Sequence, residues 1–275
     1  MRLHHFLSFC VLIISVAAVA QQPPLQYERV LLPIAITGEV PGAFGSRWTT
    51  YVAVTSTADR EITIRGYVPA PCAFGPCFPS FAVPAGVTFF PRVEAGKVTQ
   101  GALLLVERQF APQVAVHLRV QDVSRQAQTW GTEIPAVREG QLFTTPFDLL
   151  DVPLAAGFRQ TLRIYDVDAL PRASAVIRFY RIDPAVTYPN QPTNPQPAPD
   201  TLLAEKVITL QTEQRPESPT FDLGYAEVSD FAAIPELQGA DRVRIQIIPA
   251  TQSLRLWALV SVTNNETQHV TVITP

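Results

Sequence analysis

The sequence predicts an all-β chain, two antiparallel β-sandwiches in tandem behind an N-terminal export signal. Three observations predict it. Twenty-six prolines in 275 residues are about twice the usual share of roughly 5%, a density that long helices do not survive. Short β-branched or alternating runs recur with turn residues between them, and no amphipathic helix of useful length interrupts them. With 47% hydrophobic and only 16% charged residues, the chain has the apolar mass to bury real cores and is no candidate for wholesale disorder. The net charge of -3 gives no electrostatic footprint for nucleic acid.

The elements follow in chain order. Residues 1–20 read as a signal peptide: Arg2, His4 and His5 form the polar start, and Phe6 to Val16 the apolar run. Ala18-Val19-Ala20 is the small-x-small cleavage site before Gln21. The apolar run to Ala20 is too short for a membrane span, which needs about 20 residues, and Cys10 inside it leaves with the peptide. Every later apolar run is broken by Pro, Arg, Asp or Glu, so no transmembrane segment is expected after cleavage.

Residues 21–138 form the first expected sandwich, with strands near 28–37, 48–56, 61–68, 85–92, 101–107, 113–121 and 127–134. Residues 139–275 form the second, near 142–149, 160–167, 174–182, 202–211, 242–249, 255–263 and 268–274, with 220–226 as an extra edge. The boundary falls in Ala136-Val137-Arg138-Glu139-Gly140, where alternation lapses and a glycine relaxes the backbone. Residues 183–200 carry six prolines and few apolar side chains, and read as a solvated, extended loop.

Alternation supports these strands. Val114, Val116, Leu118 and Val120 share one side of theirs, while Ala115, His117, Arg119 and Gln121 share the other. Val243, Ile245 and Ile247 lie likewise opposite Arg242, Arg244 and Gln246. A weak internal repeat at an offset of 142 sets Val120 on Val262, Asp122 on Asn264 and Gln126 on Gln268.

The segments LPIAITGEVPGAFGSRWTTYVAVTSTADREITIRGYV (32–68) and LWALVSVTNNETQHVTVITP (256–275) resemble secreted bacterial proteins of uncharacterised function built of tandem immunoglobulin-like sandwiches. The resemblance implies fold and compartment and brings no catalytic residues. The first sandwich, with its strands followed by Pro84-Ala85-Gly86, also looks like the periplasmic pilus chaperones. That family relies on a basic pair in the interdomain cleft and an apolar strand that zips onto its client.

Cys72 and Cys77, in CAFGPC, are the only cysteines left after cleavage, and an exported chain meets an oxidising environment, so a disulfide is expected. It closes a short loop, worth about 2 kcal/mol, and no other Cys or His lies near enough in sequence for a zinc site. The two remaining histidines, His117 and His269, alternate outward without an orienting partner, and no nucleophile elbow, phosphate loop or zinc-protease helix occurs. Asp166 and Asp168, with Asp148 or Asp151, are considered for calcium, but Asp is equally a turn residue and no dense acidic loop appears. No metal and no cofactor are expected.

One surface pattern stands out. Arg163 with Tyr165, Arg178 with Tyr180, Arg242 with Arg244, and Arg255 with Trp257 fall opposite the most apolar alternating positions of the second sandwich. With immunoglobulin pairing, Arg163 and Tyr165 join Arg242 and Arg244 on one sheet, and Arg178 and Tyr180 join Arg255 and Trp257 on the other. Such a face suits a sugar or an acidic partner. Against that stands composition, since arginine outnumbers lysine 19 to 2. The expectation is an exported, non-enzymatic module, periplasmic or secreted, acting by surface contact with a protein or envelope partner as an adhesin or scaffold. The alternatives are a carbohydrate-binding protein, using exposed aromatics among Trp48, Trp130, Trp257 and Tyr180, and a chaperone-like two-domain sandwich.

Overall fold

The computed structural model describes residues 26–36, 38–66, 80–89, 98–99, 101–125, 130–182, 200–213 and 222–275. The expected signal peptide, the expected Cys72–Cys77 disulfide and residues 183–199 of the expected proline-rich loop lie outside them. Among the described residues the chain is strand and turn, with single turns of 3-10 helix and no helix long and apolar enough to cross a membrane.

The N-terminal half holds β1 (Tyr27–Leu32), β2 (Ala35–Ile36), β3 (Val40–Pro41), β4 (Arg47–Ser56), β5 (Ile62–Gly66) and β6 (Ser80–Val83). It continues with β7 (Thr88–Phe89), β8 (Val98–Thr99), β9 (Ala102–Glu107), β10 (Val114–Asp122), β11 (Thr132–Ile134) and β12 (Val137–Arg138). The C-terminal half holds β13 (Phe147–Pro153), β14 (Phe158–Asp166), β15 (Ser174–Arg181), β16 (Thr201–Thr209) and β17 (Gln211–Glu213). Last come β18 (Leu223–Ser229), β19 (Arg242–Pro249), β20 (Leu256–Asn264) and β21 (Val270–Ile273).

Four larger antiparallel sheets result, in the orders β12-β1-β9-β5-β6, β11-β10-β4-β3 with β7 also on β4, β13-β19-β15-β16, and β17-β18-β14-β20-β21. The two halves follow one plan, since β1-β9-β5-β6 corresponds to β13-β19-β15-β16 and β11-β10-β4-β7 to β21-β20-β14-β18. The 142-residue offset carries the ends of β10 onto those of β20. Asp122 and Asn264 close equivalent turns, Asp122 accepting the Ser124 N–H and Asn264 those of Glu266 and Thr267.

Two expectations are corrected. Of residues 220–226, read as an extra edge, those from Leu223 on lie in β18, an internal strand between β17 and β14. It takes a place beside β14 that the expected pairing had given to another strand. Thus β14 lies beside β20, and β15 beside β19, so Arg163 and Tyr165 share a sheet with Arg255 and Trp257, not with Arg242 and Arg244. Ser80–Val83, unanticipated, is a further strand, while of 85–92 the described strand is Thr88–Phe89 alone.

Alternation puts Val243, Ile245 and Ile247 in the C-terminal core, all fully buried. The sheet containing β14, β18 and β20 departs from that rule. Leu162, Ile164, Ala258 and Val260 face the C-terminal core, whereas Tyr165, Leu223, Trp257 and Leu259 join the core of the N-terminal half. A sheet covered on both faces needs an unbroken apolar strand, and Leu256 to Val260 is one. The Tyr165 hydroxyl donates to the Pro33 carbonyl, and a Cβ on Gly101 would stand 2.8 Å from Leu223 and 3.1 Å from Tyr165, so the halves touch with glycine clearance. Edges are covered too: Thr132 on β11 donates to the Val270 carbonyl of β21, and Arg125 to that of Thr267.

The longest open margin among the described residues is β16, which pairs only with β15. Leu202 and Val207 on it are exposed, but so is Lys206, whose register partner is the buried Ile177, and the ladder shifts beside Tyr180. A lysine on an edge strand and a bulge are devices that block edge-to-edge growth. Lys206→Ile is expected to shift the chain toward dimers and larger species in sedimentation velocity, and an unchanged mass distribution at equal concentration removes this role.

Candidate functional site

A dense charged cluster lies where the halves meet. Arg29 on β1 is 5% exposed. Its guanidinium reaches Glu139 at 2.9 Å, the Val167 carbonyl at 2.6 Å and Asp168 at 2.6 Å. Arg255, entering β20, grips both oxygens of Asp168 at 2.8 Å, and Arg108 takes the second oxygen of Glu139 at 2.7 Å. Three guanidinium groups thus enclose two carboxylates, with charge-assisted bonds tying residues 29 and 139 to the turn after β14. The short boundary segment, where the sequence expects alternation to lapse, carries β12, which pairs with β1, and Arg138 makes a bidentate pair with Glu28.

Burial pushes the Asp168 carboxyl upward, but the hydrogen bonds and charges of Arg255 and Arg29 outweigh it and hold the group below the ordinary range. Glu139 is lowered in the same way, by Arg108 and Arg29 against burial. Asp166 is the opposite case. Fully buried, it accepts the N–H groups of Asp168 and Leu170 at 2.9 and 2.7 Å, yet burial prevails and pushes it up to about 6.

An unfolded Asp titrates near 3.9. The stability tied to the raised Asp166 is therefore complete below that value and lost as pH rises through about 6, whereas Glu139 and Asp168 lose theirs as pH falls through their lowered values. Asp166→Asn removes the first effect alone. The variant is expected to be less stable than wild type at pH 4, with a gap that narrows toward pH 7 by up to about 3 kcal/mol in urea unfolding. A gap independent of pH overturns this assignment.

The eight residues of the expected Arg-aromatic face do not form one surface. Tyr165 and Trp257 are 0% and 4% exposed, with ring centroids 6.4 Å apart inside the contact between the halves. Arg255 is bound to Asp168, and Arg163 to Glu227 at 3.2 Å. The outer face of the β13-β19-β15-β16 sheet keeps the other four. There Arg178 pairs with Glu205 at 2.7 Å, Arg242 with Asp151 at 3.0 Å, and Arg244 with Asp148 and Asp200 at 2.8 and 2.6 Å, its guanidinium 4.1 Å from the Tyr180 ring centre. Each arginine has an acid, which makes this a cross-strand ladder that covers its own sheet. Asp148, Asp151, Asp166 and Asp168, considered together for calcium, are each engaged instead by arginine or by backbone N–H.

His117 is exposed, 3.3 Å from Glu133, and His269 is exposed in the β20–β21 turn. Of the four candidate aromatics, Trp48 is half-buried with its indole N–H on Ser46, Tyr180 lies under Arg244, and Trp257 is buried. Trp130 is 75% exposed. A residue the sequence reading passed over, Tyr51 of β4, is 43% exposed on the same face of the β4-β10-β11 sheet as Arg119 and Glu133. Alternation along β4 carried that signal, because Tyr51 lies out of phase with the buried Val52 and Val54.

The chain finds no match among protein-family models, curated proteins or solved structures.

Proposed function

We propose that the chain is an exported, non-enzymatic module that acts by surface contact, as an adhesin or envelope scaffold. The observation carrying this is the clasp of Arg29, Glu139, Asp168 and Arg255 over the shared apolar contact of Tyr165, Trp257 and Leu259. A contact protein gains from surfaces held in fixed relation, because little ordering entropy is lost on binding. The same clasp argues for this reading over the chaperone-like one. Arg29, Arg108 and Arg255 each meet a carboxylate, so these three offer no uncompensated basic pair for a client's terminus.

The test is binding of the labelled full chain to isolated bacterial cell envelopes. Saturable binding displaced by unlabelled chain is the expected result. Non-saturable uptake, or turnover on a hydrolase substrate panel, overturns the reading.

A further inference from the structure

We infer that the outer face of the β4-β10-β11 sheet is a platform for a neutral saccharide, with Trp130 as the stacking ring. This rests on the surface-contact reading and names its ligand class.

Register sets Tyr51, Arg119 and Glu133 in one row across three adjacent strands. His117 lies to one side of the row, against Glu133. On the other side Gln121 donates to the Trp130 carbonyl at 3.0 Å, and the Arg119 guanidinium stands 5.9 Å from the centre of the indole. Gly131 makes that approach possible, since at φ +90° a Cβ there would stand 2.5 Å from the Val120 carbonyl and 2.6 Å from Gln121. The chain is thus drawn tight against β10, while the indole it carries is left more exposed than any other large apolar side chain among the described residues.

A pyranose ring has one face of C–H bonds and a rim of hydroxyls that both donate and accept. An exposed indole suits the face. The rim needs donors and acceptors within reach, which Arg119, Gln121, His117 and Glu133 supply. The formal charges of Arg119 and Glu133 cancel across the row, and the whole chain is at -3, so neither a polyanion nor a cation is favoured. A purely apolar partner would have to strip water from four polar side chains to reach one ring.

The experiment screens the full chain against short neutral gluco- and manno-oligosaccharides, with polygalacturonate and heparin as polyanions, by glycan array and tryptophan emission. Of three tryptophans Trp257 is buried and Trp48 half-buried, so Trp130 dominates the red edge of the emission. Saturable binding of a neutral oligosaccharide with a blue shift is expected. Trp130→Ala should weaken it at least about tenfold, Trp130→Phe should restore much of it, and Tyr51→Ala should weaken it less, all with unchanged thermal midpoints because both sites are exposed. Sugar binding that survives Trp130→Ala, preference for a polyanion, or envelope binding to a protein in place of a glycan each overturns the platform. Envelope binding by a chain that takes no sugar would sink the platform and leave the surface-contact reading standing, whereas absence of both would remove the two together.

Discussion

Arg29→Ala is expected to lower stability by about 3–5 kcal/mol, because it leaves Glu139 and Asp168 with less compensation in a nearly dry junction. For a chain of this length that corresponds to a fall of about 10 °C in Tm. The loss should be insensitive to salt, unlike that of an exposed pair. Arg108→Ala is the internal control: its side chain is about half exposed, and removing it should cost no more than about 1 kcal/mol. Arg29→Ala should also separate the unfolding of the two halves, read as one urea transition becoming two. A loss below that of Arg108→Ala, or an unbroken single transition, shows that the clasp does not couple them.

The second large effect is at Trp257. Trp257→Ala removes a 4% exposed indole that the C-terminal half contributes to the core of the N-terminal half and is expected to destabilise by about 3–5 kcal/mol. Its burial also means that envelope or sugar binding should persist wherever the variant remains folded. This opposes what an outward-facing Trp257 would do. Binding lost at a temperature where circular dichroism still reports the native fold would return Trp257 to a ligand surface.

Much of the fold was legible from side-chain periodicity. The strands β10 and β19 were given by valine and isoleucine alternation, and the offset of 142 anticipated that β10 and β20 occupy equivalent places. The pairing of β14 and β15 differs from the immunoglobulin expectation because β18 is an internal strand beside β14, and one added internal strand exchanges the partners of its neighbours. Tyr165 and Trp257 were misread for a related reason. Opposite-to-core was equated with solvent, although the run Leu-Trp-Ala-Leu-Val at 256–260 has the unbroken apolar character of a strand covered on both sides. The clasp was out of reach of local pattern, since Arg29 meets partners 110 and 139 residues away. Trp130 was visible as a tryptophan, but its exposure follows from the tight passage at Gly131.

The sheet with apolar side chains on both faces bears on how such a chain can be inherited. Cut at the midpoint, the second half would present Tyr165, Leu223, Trp257 and Leu259 to water, a sticky patch that invites clumping. Recombination that shuffled single halves between genes would yield insoluble products. The pair is the smallest piece that can travel intact.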